Sequence, residues 1–337
     1  MKMACFNYLA VMLLALCQIR AFAQQSQIHV DLRHPGPRVS PTLYGLFFEE
    51  INHAGDGGLY AEMVRNGSFE DSDKIEGWRA GNFGVKTLDT SLPLNPNNPT
   101  SLKLECHETK GASDEFSNGY WGFSVIRGSR YRISLYGRGT GSLVATLFKP
   151  DKRLSNLLIL GKLTPDWKKY EGELTAVDTE PQAQLTVAVA GVGTAWIDQV
   201  SLMPEKTWKN HGLRTDLADK LDAIKPAFVR FPGGCFCEGE VLKDRFNWKD
   251  SIGPLEQRPG HWNLWGYRST DHLGYHEYLQ MCEDLGAEPL FVVNCGMSHR
   301  EFAPLDKLDP YVQDALDAIE YANGPYESKW EIGRAHV

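Results

Sequence analysis

Two places in the sequence gather residue types that could do chemistry. The first is Glu49-Glu50, a carboxylate pair set straight after the apolar run Leu43-Tyr44-Gly45-Leu46-Phe47-Phe48. Carboxylates there are either solvated loop residues or members of a site, and the place beside the strand end favours the site for Glu49. The second is Ala227–Gly239, AFVRFPGGCFCEG, in which Arg230 and Glu238 flank the turn Pro232-Gly233-Gly234. Proline cannot donate to a sheet ladder, and glycine takes up backbone angles that other residues resist, so an apolar strand Ala227–Phe231 has to stop there. A strand whose C-terminal end opens into a glycine turn with charged neighbours is how α/β folds build active sites. Cys235-Phe236-Cys237 offers two thiols, but this pair alone is a weak metal signal. The Gly-rich loop Asn52–Leu59 lacks the Gly-Lys-Ser/Thr ending of a phosphate loop. The turn at Gly233-Gly234 lacks the dinucleotide fingerprint, and no helix is expected to open at Cys235.

The elements that position these groups come in two kinds. Leu43–Phe48, Ala227–Phe231 and Pro289–Asn294 are continuous apolar runs, the pattern of strands buried on both faces of a parallel sheet. Gln27–Arg38 reads as a short strand and turn. Helices lie between and after the later strands. Leu213, Leu217, Leu221 and Ile224 share one helical face ahead of Pro226. Tyr275, Tyr278, Leu279, Cys282 and Leu285 share another, with Gly286 as C-terminal cap. A third helix starts at Asp309-Pro310, runs through Val312, Ala315, Leu316 and Ile319, and ends at Asn323-Gly324-Pro325. Gly233–Thr270, with Trp248, Trp262 and Trp265, reads as one long loop. Strand, helix, strand, helix implies an α/β fold with a parallel sheet, and without a dinucleotide turn a barrel is the better reading. Residues 66–204 differ: Leu102, Leu104 and Cys106, Tyr131, Ile133 and Leu135, Leu143, Ala145 and Leu147, and Leu185, Val187 and Val189 alternate with period two. Short alternating strands separated by turns predict a β-sandwich inserted after the first barrel strand.

Composition narrows the function classes. The 337 residues are 42% hydrophobic, enough for a packed core, and the formal net charge of -8 without a basic run argues against nucleic acid as main partner. Nine Trp, 13 Tyr and 15 Phe suit a protein that handles sugars, although most of these rings fill cores. Lys2, the apolar Leu9–Leu16 and Ala21-Phe22-Ala23 form the three regions of a secretory leader, so residues 1–23 are expected to leave and the mature chain to act in the periplasm or outside the cell. No other stretch is long enough to span a membrane. Five cysteines remain after the leader, an odd number without the spacing of a disulfide framework.

Four separated motifs resemble glycoside hydrolase family 51, mainly α-L-arabinofuranosidases: Tyr44-Gly45-Leu46-Phe47-Phe48-Glu49-Glu50, Arg230-Phe231-Pro232-Gly233-Gly234, Asn247–Pro254 and Leu273–Tyr278. The inserted segment resembles a family 4/9-type carbohydrate-binding jelly roll, opening at Asn66–Glu70 with Gly77-Trp78 and closing at Trp196–Leu202. The resemblance implies a (β/α)8 TIM barrel that releases terminal arabinofuranosyl residues from arabinan or arabinoxylan with retention. Such enzymes use two carboxylates roughly 5–5.5 Å apart and no cofactor or metal. It further implies that both catalytic glutamates lie on strands this chain does not reach. The implied domains are 24–65 for the first strand and its flanks, 66–204 for the sandwich and 205–330 for strands two and three with their helices. Residues 331–337 break the pattern and read as an artefactual tail. Glu49, Arg230, Cys235 and Asn294 are the implied substrate-binding residues, with Cys235 where many members have asparagine. Glu277, inside a predicted helix, reads as structural. Two other readings stay open: a non-catalytic carbohydrate-binding protein with Tyr120, Trp121 and Trp167 as stacking platforms, and a β-xylosidase or endoglucanase on the same barrel.

Overall fold

The computed structural model describes residues 27–34, 36–80, 84–107, 112–117, 119–325 and 327–330. The expected leader, 1–23, and the expected tail, 331–337, lie outside them. Contacts divide the chain into a unit ending at Ser40 and a unit of Pro41–Val337. In the first unit the expected strand is not found among the described residues. Asp31 accepts the backbone N–H of Arg33 and holds a turn, so this local side-chain bond stands where a ladder partner would be needed.

The second unit is built on three parallel strands: β1 (Leu46–Phe47), β2 (Phe228–Phe231) and β3 (Glu288–Phe291), in the order β1-β2-β3. Leu46 pairs with Val229 and Phe47 with Arg230, while Arg230 also pairs with Leu290 and Phe231 with Phe291. Among the described residues four α-helices accompany these strands: α1 (Thr215–Ile224) ahead of β2, then α2 (Gly234–Glu238), α3 (Tyr275–Leu285) and α4 (Asp309–Asn323). The alternation of β2 decides which face is covered. Val229 and Phe231 are buried, and the Phe231 ring stacks on Tyr278 of α3 with centroids 4.5 Å apart. Leu46, Phe48 and Phe291 pack against the same core.

The opposite face corrects the expectation of strands buried on both sides. Phe47 and Leu290 are exposed, because among the described residues no layer packs on that side of the sheet, and Leu43, Tyr44 and Val293, just outside the strands, are exposed as well. α4 departs in the same way. Val312, Leu316 and Ile319 are exposed, whereas Asp317, Ala318 and Tyr321 are buried. Polar contacts choose that face: Lys249 binds Asp314 and Asp317, the Trp248 indole donates to Asp314 O, and Tyr275 Oη donates to Ala318 O. In α1 likewise Ile224 is exposed, past the buried Leu213 and Ala218.

Between β1 and β2 stand two antiparallel sheets. One holds Val85–Asp89, Ser101–Cys106, Arg130–Gly139, Lys168–Thr175 and Gly193–Pro204; the other is centred on Ser142–Lys149 and Glu180–Ala190. The expected alternations are the core: Leu102, Leu104, Ile133, Leu135, Leu143, Leu147, Leu185 and Val187 are all buried in one cluster. Among the described residues no helix interrupts them. Glu62 fastens this region to the chain leaving β1. Its carboxylate accepts from the backbone N–H groups of Val64 and Leu202 and from the Ser201 hydroxyl.

Candidate functional site

Glu49 leaves β1 beside the turn that ends β2. Its Oε1 accepts the backbone N–H of Phe236 at 2.9 Å. That N–H is one of the orphan donors at the start of α2, so a side chain 187 residues earlier caps this helix. The expectation that no helix opens at Cys235 is therefore overturned: α2 begins at Gly234, and its cap is invisible in the local sequence. Gly233 makes the approach possible. Its φ is +105°, and a Cβ there would lie 2.3 Å from Glu49 Cδ.

Arg230 stands on the open face of the sheet with its guanidinium 5.0 Å from the Phe47 ring centroid. Among the described residues its side chain has no ion-pair or hydrogen-bond partner, and its Nη2 lies 3.9 Å from where a Cβ of Gly234 would stand. Cys235 is half-buried on α2, and burial first, then the charges of Glu49 and Glu238, push its thiol up. Asn294 is differently employed. Oδ1 accepts from Gly296 and Met297, and Nδ2 donates to the carbonyls of Cys237 and Met297. Those four bonds use the full capacity of an amide, so Asn294 ties the loop after β3 to the end of α2. Glu49, Arg230 and Cys235 thus meet around the Gly233-Gly234 turn, with Asn294 behind them.

A second group gathers around Glu50, the carboxylate whose role the sequence leaves open. Glu50 is buried and accepts from Tyr267 Oη at 2.8 Å and from the Gly55 N–H. Burial, then the negative charge of Asp56, hold its carboxyl well above the usual carboxylate range. His53 lies on Tyr267, with ring centroids 3.8 Å apart, and carries Tyr120 and the edge of Trp121 beyond it. An aromatic path thus runs from the sandwich surface, where Trp121 is 61% exposed, to the residue next to Glu49. Its partner Tyr267 comes from the stretch read as one long loop. That stretch in fact holds α2, three short 3-10 turns and the strand pair His261–Trp262 with Arg268–Ser269. It is ordered by the contacts it makes: Asn98 binds the carbonyl of Arg258, and Arg258 pairs with Glu277 at 2.8 Å. Glu277 also accepts the Gly274 N–H, the structural part expected of it.

The sequence and the backbone both have counterparts. Residues 220–337 match the model of the alpha-L-arabinofuranosidase 1 domain. The chain is 39% identical to Alpha-L-arabinofuranosidase 1 of Arabidopsis thaliana over 92% of its own length and 49% of that protein. An extracellular exo-alpha-L-arabinofuranosidase of Streptomyces chartreusis is 38% identical over 92% of this chain and 40% of its own. The arabinose-bound structure of MgGH51 α-L-arabinofuranosidase superposes with a TM-score of 0.81 at 33% identity, over 88% of this chain and 51% of that one. The chain is homologous to the α-L-arabinofuranosidases of glycoside hydrolase family 51. It spans about half the length of these relatives. Within this arabinofuranosidase homologue the family motifs take on separate tasks. Glu49 and Arg230 line the turn, while Trp248 and Lys249 of the Asn247–Pro254 motif fix α4.

Proposed function

We propose that the full-length protein is a retaining glycoside hydrolase that releases terminal non-reducing α-L-arabinofuranosyl residues from arabinan or arabinoxylan and so feeds L-arabinose metabolism. The observation that carries this is the superposition, over 88% of the chain, on an arabinose-bound α-L-arabinofuranosidase. In this reading β1, β2 and β3 are the first three strands of a (β/α)8 barrel, and their C-terminal ends form one wall of the sugar site. The boundaries are 24–65, 66–204 and 205–330, with the sandwich as an inserted carbohydrate-binding jelly roll. The start of the family match at residue 220, inside α1, supports the last of them.

The roles follow from the geometry. Glu49 keeps one carboxylate oxygen on the Phe236 N–H, which leaves the other for a sugar hydroxyl. Arg230 offers donors on the open face, and Cys235 borders the pocket as a weak hydrogen-bonding group. Asn294 positions the rim instead of holding sugar, since its amide is filled. Glycosidic cleavage by paired carboxylates needs neither metal nor cofactor. The Streptomyces relative is named extracellular, which supports export by residues 1–23 and an extracytoplasmic workplace. Among the described residues no helix is long and apolar enough to cross a membrane.

The test is hydrolysis of 4-nitrophenyl glycosides by the full-length protein. We expect release from the α-L-arabinofuranoside, with retention seen by proton NMR, and at least tenfold less from β-xyloside and β-glucoside. Preference for either of the latter overturns the substrate. Absence of hydrolysis of all three, with retention on polysaccharide, leaves the carbohydrate-binding reading in its place.

A further inference from the structure

Cys235 and Glu238 stand three residues apart on α2, and side chains at that spacing meet on one helix face. A third residue reaches them from the loop after β3. The backbone N–H of His299 donates to Gly239 O at 3.1 Å, and that of Arg300 to Glu240 O at 3.1 Å, so this loop is clasped to the end of α2. Glu301 continues the clasp by accepting the Leu242 N–H. The result is a group of three donor atoms, one each from Cys235, Glu238 and His299, all within 4.8 Å of one another. His299 Nε2 and Glu238 Oε2 are already 3.4 Å apart.

We propose that Cys235, Glu238 and His299 form a binding site for a thiophilic divalent cation of the zinc, cobalt or cadmium class at the rim of the Glu49 turn. Tetrahedral zinc, with bonds of about 2.0 Å to nitrogen and oxygen and about 2.3 Å to sulfur, sets its ligand atoms roughly 3.3–3.6 Å apart. The His–Glu pair has that spacing, and side-chain rotation of the half-buried thiol closes the rest. One thiol, one imidazole and one carboxylate form a borderline-soft donor set that disfavours calcium and magnesium. Three protein ligands leave a fourth position to solvent. No competing cation takes the carboxylate: Arg300 is paired with Glu240, and among the described residues His299 is the ion-pair partner of Glu238. The thiol already sits in the field of Glu49 and Glu238, which a bound cation would offset. The site stands beside the sugar pocket but does not depend on that reading.

Cation binding is read on the chain itself, without sugar. Titration with cadmium should produce a thiolate-to-cadmium charge-transfer absorption that saturates at one equivalent. Cys235→Ser should abolish it, and Glu238→Gln and His299→Ala should each weaken binding about tenfold or more, since loss of an outer-shell partner alone costs that much. Cys295, the exposed thiol, is the control, and Cys295→Ser should leave the titration unchanged. Circular dichroism of each variant reports whether it is folded. Absence of the band in the folded chain, its survival in Cys235→Ser, indifference to both Glu238→Gln and His299→Ala, or its loss in Cys295→Ser would each overturn the proposal. None of these outcomes bears on which aryl glycoside the full-length protein cleaves.

Discussion

In the sandwich, two sheets close on each other and share one core, so Leu102, Leu135, Leu147 and Leu185 lose essentially all contact with water. In the parallel sheet the covered face has the same quality, with Phe231 fully buried against Tyr278, but Phe47 and Leu290 on the other face are more than half exposed. Both regions are rich in apolar strand residues. They differ in whether the apolar residues are met by a second layer. Burial, and not strand hydrophobicity, is what stabilises, so the two faces of the parallel sheet should behave as different materials under mutation.

The largest effects belong to the covered side. Phe231→Ala should cost about 3–5 kcal/mol and Leu185→Ala about 2–5 kcal/mol, from lost burial plus the cavity left behind. In the 337-residue chain by itself, Phe47→Ala and Leu290→Ala, on the side that no described layer covers, should stay within about 1 kcal/mol. Urea denaturation midpoints compare the four. A Phe47 variant as costly as the Phe231 variant would show that the open face is covered in solution, and the comparison would fail.

Glu62 joins the two regions and carries the next effect. Burial is the main cause that pushes its carboxyl up to about 7, only partly offset by its bonds from Ser201, Leu202 and Val64. A carboxyl whose folded value exceeds its unfolded value binds more protons when folded, so its contribution is fully present below the unfolded value of 4.5 and is lost as pH rises through 7. At about 1.4 kcal/mol per unit, the loss between pH 4.5 and 8 is on the order of 3 kcal/mol. Glu62→Gln should flatten that part of the stability–pH curve. A variant whose curve parallels the wild type would remove Glu62 as the source.

Gly233→Ala sharpens the comparison at the site. An alanine at φ +105° is strained by about 1–3 kcal/mol. Its Cβ would also displace Glu49, which lies 2.3 Å from that position. We expect that loss of stability together with faster hydrogen exchange at the Phe236 amide than in the wild type, because the cap is gone. Slow exchange retained at Phe236 would mean Glu49 is not what holds the start of α2.

How far the sequence spoke for itself follows the same division. Period-two alternation names the inward residue at each step, so the sequence alone places Tyr131, Ile133 and Leu135 in the core. A continuous apolar run carries no such mark, and Leu43–Phe48 could not reveal which side lacked cover. The helix from Tyr275 to Leu285 was legible because its stripe and the left-handed Gly286 are local. α2 was not, since Glu49 caps it from another strand. In α4 the apolar stripe was misleading: Lys249 draws Asp314 and Asp317 inward and turns Val312 and Leu316 out. At the site, Glu49 and Arg230 were marked by strand ends, whereas His299 could join Cys235 and Glu238 only through tertiary folding.

The smallest effect on stability tests the sandwich surface. Trp121 and Trp167 both read as stacking platforms, and their surroundings now separate them. Trp167 is half-buried and its indole N–H donates to Leu92 O at 3.1 Å, so it is engaged in holding the loop after Asp89. Trp121 is 61% exposed, has no indole hydrogen bond among the described residues, and borders a cavity of about 730 Å³ shared with Tyr120, Arg130 and Arg214. An exposed ring leaves its apolar face open to stacking and contributes little to the fold. Trp121→Ala should therefore change stability by less than about 0.5 kcal/mol. It should nonetheless weaken retention of the chain in affinity electrophoresis on arabinoxylan several-fold. Trp167→Ala should do the reverse, costing about 1–2 kcal/mol and leaving retention unchanged. Equal retention of wild type and Trp121→Ala would confine the ring to its contact with His53, a packing partner on the path to Glu50.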